Sequence, residues 1–347
     1  MEAGLYIEAS ELEGRFGPST EAAVRGFQQH RGLVTDGLVG LDTWGRLVEA
    51  GYRLGDRTLY LRYPTFRGDD VLELQQRLNA LGFDAGKEDG LFGSRTSEAV
   101  REFQVNVGGE GDGIVGTETV SALARLRPAS EGPSRAMVRE EEALRQMDSS
   151  IVGAIVAVDP GHGPSDPGNA GPGGSVEAEV TLLLAAALAE ELAARGAVPK
   201  PLRGPDDDPT PSGRARLAND LGAAVCISLH ANAGEPEAEG TTCFYFGTPT
   251  THSPAGRRLA EVIQDELVSR LGLKDGRVHP LAIDVLRETR MPAVQVEPFF
   301  MTNEKEERML SDAGARRDIV SAIADGIERF FRAASEDDRP RDRVDYS

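Results

Sequence analysis

Two histidines and a glutamate stand at the ends of three apolar runs, and these are the residues of the chain best placed to do chemistry. Ile155–His162 reads I-V-A-V-D-P-G-H, an apolar run, a turn and then an imidazole. Val225–His230 (V-C-I-S-L-H) ends in a second histidine, and Ala293–Glu297 (A-V-Q-V-E), after a Met-Pro break, ends in a carboxylate. Short apolar runs bounded by turn residues read as buried strands of a parallel sheet. Open α/β sheets bind their ligands outside the carboxyl ends of such strands. If the three strands share one sheet, His162, His230 and Glu297 share one edge of it.

Two histidines with carboxylates suggest a hydrolytic zinc site, in which two imidazole nitrogens and one carboxylate leave a position for water. Zinc brings the pKa of that water to roughly 7, and a second carboxylate takes the proton and returns it to the leaving group. The chemistry therefore needs His162, His230, one carboxylate ligand and one free base. Glu177 and Glu179, just after a Gly- and Pro-rich loop (161–176), and Glu297 are the acids available. Residue chemistry alone does not say which binds metal and which acts as base. His30, His252 and His279 read as ordinary surface or core residues, and of the three His279, in R-V-H-P before the final strand, stands best placed to line the cleft. Arg214 and Asn219 read as structural, holding a helix against the sheet. Asn232 either orients substrate or caps the following turn.

The elements that must position these groups alternate over residues 151–334. Helices are expected at Val180–Ala194, Ser212–Leu221 (Ser212 as N-cap), Pro254–Leu271 and Ala313–Ala333, with a further strand at Thr241–Phe246. This is an α/β domain with a mostly parallel, twisted sheet flanked by helices. Residues 335–347 are polar and charged and read as a disordered tail. Residues 128–150, with Pro128 and S-E-G-P-S, read as a linker whose charged run Arg139–Glu142 is a solvated tether rather than a helix.

Residues 1–127 contain a repeat. Phe16 pairs with Phe92, Phe27 with Phe103, Gly37 with Gly113 and Thr43 with Thr119, each at an offset of 76 (92 − 16, and so on). Thr20, Val24 and Phe27, like Thr96, Val100 and Phe103, share a helix face. In the second copy (58–127) Asp70–Leu81 supplies a leading helix, so each copy should be a small all-α three-helix module. The first copy (1–50) lacks that helix.

The 347 residues suggest two or three domains. A net charge of −19, from 38 basic and 57 acidic residues, argues against nucleic acid and anionic membranes as partners. Cys226 and Cys243 are too few for a disulfide framework and read as buried thiols. No apolar stretch is long enough for a membrane span. The first residues lack the marks of a signal peptide. The chain as it stands therefore reads as cytoplasmic, or as a wall protein if its N-terminus is truncated.

The repeats resemble the type 1 peptidoglycan-binding domain in F-G-x-x-T-x-x-A-V-x-x-F-Q (Phe16–Gln28, Phe92–Gln104) and D-G-x-V-G-x-x-T (Asp36–Thr43, Asp112–Thr119). Residues 151–334 resemble the zinc-dependent N-acetylmuramoyl-L-alanine amidases of the type 3 class. The markers are D-P-G-H-G (Asp159–Gly163), D-P-G (Asp166–Gly168), E-x-x-x-x-L (Glu177–Leu182), R-x-x-x-A-N (Arg214–Asn219), S-L-H-A-N (Ser228–Asn232), M-P-A-V-Q-V-E (Met291–Glu297) and T-N (Thr302–Asn303). That resemblance implies Zn2+ held by His162, Glu177 and His230, Glu297 as catalytic base, and hydrolysis of the amide between N-acetylmuramic acid and L-alanine of peptidoglycan or muropeptides. Glu179 is the alternative ligand. The chain departs from the family at Pro164 and at Phe299, which replaces a glycine after the base, and a bulky residue there is expected to narrow the cleft. The layout also resembles actinobacterial regulators of peptidoglycan precursor synthesis, which would imply a protein partner in that pathway. Those regulators have degenerate ligand sets, whereas this chain keeps both histidines and both carboxylates.

Overall fold

The computed structural model describes residues 7–336 apart from 9, 12–13, 32, 34–35, 127–134 and 249–250. Residues 337–347 of the expected tail and part of the expected linker lie outside the described residues, and the tail's first two residues, 335 and 336, end a helix. The chain divides into two compact units, 1–139 with 281–283, and 140–280 with 284–347.

The first unit holds α1 (Pro18–Arg31), α2 (Leu41–Gly51), α3 (Asp69–Ala80), α4 (Ser94–Asn106) and α5 (Thr117–Arg125). In the second copy α3, α4 and α5 close round Leu74, Leu78, Phe92, Val100, Phe103 and Leu123. Among the described residues no helix precedes α1. The repeats differ at one equivalent pair: Phe92 is fully buried while its counterpart Phe16 is 59% exposed.

The Asp-Gly turns are locked by buried glutamines. Gln28 Nε2 donates to Asp36 Oδ1 (2.8 Å), Leu38 O (2.9 Å) and Thr43 Oγ1 (3.1 Å), while its Oε1 accepts from Gly37 N at 2.8 Å. Gln104 makes the same four bonds with Asp112, Ile114, Thr119 and Gly113. Gln75 makes them again, with Asp89, Leu91, Thr96 and Gly90. The turn thus occurs three times, although the 76-residue register reveals two. The third escapes because its glutamine precedes its aspartate by 14 residues, not 8. Gly37, Gly90 and Gly113 all have φ between +73° and +77°, a conformation that glycine adopts without steric cost.

The stretch expected as a tether contains a helix, α6 (Arg135–Arg145). Leu144 and Met147 pack on the core of the second unit, so these apolar side chains anchor what charge alone suggested was solvated.

The second unit runs β1 (Ile155–Pro160), α7 (Glu177–Ala194), β2 (Val198–Pro201), α8 (Pro211–Asp220), β3 (Val225–Leu229), β4 (Thr241–Phe246), α9 (Pro254–Leu271), β5 (Asp275–Leu281), α10 (Asp284–Glu288), β6 (Ala293–Glu297), α11 (Glu304–Ser311) and α12 (Ala313–Glu336). The sheet order is β2-β1-β3-β6-β4-β5. β2, β1, β3 and β6 are parallel, and β4 runs antiparallel to β6. Strands β2 (V-P-K-P) and β5 are unexpected. Both lie at sheet edges, where proline and polar residues are tolerated because no inner ladder needs their amides. α7 starts at Glu177, three residues earlier than its apolar pattern. The N-cap of α8 is Thr210, whose Oγ1 accepts from Gly213 N, and not Ser212. Helix α12 packs against both α7 and α9, and the three bury Leu184, Leu188, Leu192, Ile263, Ile323 and Phe330.

Register places the functional strands together. Pro160 pairs with Leu229, and Leu229 with Val296, so β1, β3 and β6 end at one level. The expectation of one shared sheet edge holds. Phe299 corrects the expectation of a bulky residue at the cleft: its side chain is fully buried among the core residues of the second unit.

Candidate metal centre

His162 leaves β1 through Gly161 in a left-handed conformation (φ 60°). A non-glycine residue held so is strained. Gly161 is required because a Cβ there would lie 2.4 Å from the His230 ring. Gly168, at φ +72°, would likewise place a Cβ 2.7 Å from His162 and 2.8 Å from Glu177. The D-P-G-H and D-P-G markers are thus the backbone that lets two rings and a carboxylate crowd together.

His162 Nε2 lies 3.1 Å from Glu177 Oε1, and His230 Nδ1 lies 3.1 Å from the same oxygen. The facing donor atoms of His162, Glu177 and His230 all fall within 4.8 Å of one another. Glu177, on the first turn of α7, is 1% exposed. Its Oε1 also accepts from Ala231 N (2.9 Å), and its Oε2 accepts from Asn169 N (3.0 Å) and Nδ2 (2.7 Å). Asp166 Oδ2 sits 2.9 Å from His162 Nδ1. With the proton on Nδ1, Nε2 presents its lone pair to the site, the arrangement by which a carboxylate orients a ligating imidazole.

Beneath the turn lies a buried ionic network. Arg214 Nη1 bonds Asp159 Oδ1 at 2.8 Å, and Ser228 Oγ donates to Asp159 Oδ2 at 2.7 Å. Arg214 also donates to the carbonyls of Pro160 and His162. Arg203 donates to Pro160 O (3.0 Å), Gly161 O (3.0 Å) and Ala178 O (2.7 Å). Two guanidinium forks therefore satisfy the carbonyls of the strained turn and tie it to α7.

The charges follow from this geometry. Burial works against the ionised form of Glu177, but hydrogen bonds from His162 and His230 outweigh it and hold the carboxyl well below its ordinary range. Burial works against protonation of His162, and Glu177 and Asp166 overcome it and raise the imidazole above its usual value. Burial pushes the Glu297 carboxyl up, against the opposing pull of His230 and of Gln295, whose Nε2 donates to Glu297 Oε1 at 2.7 Å.

The structure brings His162, Glu177 and His230 together and leaves Glu179 exposed. Glu297 ends β6 beside His230, whose N donates to Val296 O at 3.0 Å. Asn232 caps the following turn, its Oδ1 accepting from Ala233 N at 2.9 Å. Asn219 bonds Glu288 O and Arg290 N, tying α8 to the segment after α10. His279, on edge strand β5, is exposed and bonds Gly276 O, and His252 packs on Tyr245. The side chain of His30 lies outside the described residues. Asp166, Asn169, Arg203 and Gln295 were not singled out from the sequence. Asp166 and Gln295 had a signal, each standing inside a marker, Asp166 four residues after His162 and Gln295 two before Glu297.

The donor set fits zinc. Bonds of about 2.0–2.1 Å in a tetrahedron put ligand atoms about 3.3 Å apart, close to the 3.1 Å between Glu177 and each imidazole. A mostly parallel α/β sheet with a His-Glu-His cluster and a further carboxylate at its strand ends is the layout of metal-assisted hydrolases.

Residues 156–329 match the model of the N-acetylmuramoyl-L-alanine amidase family, and residues 2–47 and 67–123 match that of the putative peptidoglycan binding domain. The chain is 40% identical over 332 residues to the N-acetylmuramoyl-L-alanine amidase CwlM of Mycobacterium tuberculosis, covering 94% of this chain and 81% of that one. It is 34% identical over 191 residues to the amidase LytC of Bacillus subtilis, covering 55% of this chain and 38% of LytC. Among solved structures, the amidase Ami1 of Mycobacterium smegmatis aligns at 26% identity and a TM-score of 0.49, over 53% of this chain and 99% of Ami1. AmiC2 of Nostoc punctiforme aligns at 28% and 0.48, over 52% and 97%. The chain belongs to the N-acetylmuramoyl-L-alanine amidase family, and it carries peptidoglycan-binding repeats ahead of the amidase domain.

Proposed function

We propose that the chain is a zinc-dependent N-acetylmuramoyl-L-alanine amidase, with His162, Glu177 and His230 as ligands and Glu297 as catalytic base. The observation that carries this reading is the convergence of His162 Nε2 and His230 Nδ1 on one Glu177 oxygen at 3.1 Å each, with Glu297 leaving the neighbouring strand at the same level.

Bound zinc would supply a Lewis acid for the scissile carbonyl and a water acidified to roughly pKa 7. The protein supplies the rest. Asp166 and Asn169 hold His162 and Glu177 in the ligating orientation. Glu297 receives the proton of the attacking water and delivers it to the leaving L-alanine nitrogen. A carboxylate whose proton affinity is raised by burial suits both transfers. Gln295 holds one oxygen of that carboxylate and leaves the other for the proton. Asn232, its carbonyl oxygen engaged by Ala233, would offer its amide nitrogen to substrate. The repeats at 1–50 and 58–127 would hold the domain on peptidoglycan, raising its effective concentration on a polymeric substrate. Among the described residues no helix is long and apolar enough to cross a membrane.

The test is metal analysis of the purified chain together with a muropeptide digest. The expected result is bound zinc, release of free stem peptide, and loss of about 10²–10⁴-fold in rate for Glu297→Gln with zinc retained. A zinc-loaded chain that releases no stem peptide would overturn the hydrolase reading in favour of a regulator of precursor synthesis.

A further inference from the structure

The first turn of α11 carries two adjacent buried carboxylates, Glu306 and Glu307, 5% and 3% exposed. Neither is needed by its own helix. The N-cap Asn303 accepts from Lys305 N and Glu306 N with its side chain. Each glutamate instead binds backbone amides outside its helix, Glu307 more than 130 residues away and Glu306 at 66 and 6 residues. Glu307 Oε2 accepts from Gly173 N at 2.6 Å, and its Oε1 accepts from Ser175 N at 3.0 Å. Glu306 accepts from Gly240 N (2.8 Å) and Phe300 N (2.7 Å).

The loop that Glu307 grips leads directly to the metal site. Gly171 N bonds Ser175 O (2.9 Å) and Gly174 N bonds Gly171 O (3.0 Å), closing a small turn. Ala170 bridges Val176. Glu177 N then bonds Asn169 O at 2.9 Å, while Asn169 donates twice to Glu177 Oε2. The contact is close: a Cβ at Gly171 would lie 2.2 Å from Glu307 Oε1, and one at Gly173 2.9 Å from its Oε2. Burial opposes ionisation of Glu307, but the amides of Gly173 and Ser175 outweigh it and hold the carboxyl below its usual value.

We propose that Glu307 is a positioning residue for the metal centre: by pinning the Gly171–Ser175 turn it presents Asn169 and Glu177 to His162 and His230. The proposal rests on the metal reading above. Glu306, equally buried one residue away, grips other loops and serves as the internal control, because general loss of packing would affect both variants alike.

The test is a zinc titration of the full chain against a chromogenic chelator, with thermal melts alongside. Glu307→Gln replaces one of the two acceptor oxygens with an NH2 donor that faces a backbone N–H, and its zinc affinity should fall by about 10–100-fold, the range for lost outer partners of metal ligands. Saturating zinc should restore kcat. Glu306→Gln should keep wild-type zinc affinity. If Glu307→Gln does not fold, Gly173→Ala perturbs the same contact with a methyl group and should weaken zinc in the same direction. Unchanged affinity in Glu307→Gln, or an equal loss in both glutamate variants, overturns the proposal alone. A wild-type chain that binds no zinc overturns the metal reading and this proposal with it.

Discussion

Arg214→Met should destabilise the amidase domain and weaken its metal site together. The side chains of Arg214 and Asp159 are 5% and 1% exposed, and their N···O distance is 2.8 Å. Removing one partner of such a buried pair costs about 3–5 kcal/mol, chiefly because the other charge is left uncompensated. Here Asp159 would keep the hydrogen bond from Ser228 and the more distant charge of Arg203. For a domain of this size each kcal/mol is worth about 2–4 °C in melting temperature, so the loss should be about 6–20 °C. Arg214 also bonds the carbonyl of His162, the strained residue, so zinc affinity should fall as well. The assay is circular-dichroism melting with a zinc titration. Arg214→Met combined with Asp159→Asn removes the stranded charge, and should be more stable than Arg214→Met alone by about 1 kcal/mol or more. A single variant that melts within about 2 °C of wild type, or a double variant whose losses simply add, would refute the reasoning.

In the second repeat, Gln104→Ala strips the four bonds of a nearly buried amide from the Asp112–Thr119 turn. The cost should be about 2–4 kcal/mol, read as faster hydrogen exchange across residues 112–123, and unchanged exchange would contradict the role given to the glutamine. Two groups of the metal-free site, Glu177 and His162, contribute proton linkage of known direction. Glu177 is depressed from 4.5, so its contribution is present above that value and lost as pH falls through the lower folded value. His162 is raised from 6.5, so its contribution is full below 6.5 and lost as pH rises through the higher folded value. The melting-temperature difference between metal-free wild type and metal-free His162→Asn should therefore shrink from pH 6 toward alkaline pH. A difference that grows over that range would be inconsistent with these shifts.

The chemistry of this protein was legible in the sequence wherever it depended on local pattern. Apolar runs closed by turns located β1, β3, β4 and β6, and so placed His162, His230 and Glu297 at strand ends. The 76-residue register located the repeats. Edge strands β2 and β5 were not legible, because an edge needs no apolar alternation and admits proline. The third glutamine-locked turn was hidden by its longer spacing.

Other features belong to the tertiary structure alone. Glu177 and Glu179 lie two apart on a helix, where side chains point to different faces, and only the docking of α7 decides which one meets the imidazoles. Phe299 was expected at the cleft and is fully buried in the core, a placement that local sequence pattern does not record. The grip of Arg203 and Arg214 on the turn at 160–162 spans 42 to 54 residues, and that of Glu307 on Gly173 and Ser175 spans 134 and 132. Hydrophobic periodicity carries no record of such pairings, because partners at that separation meet only once strand register has been set.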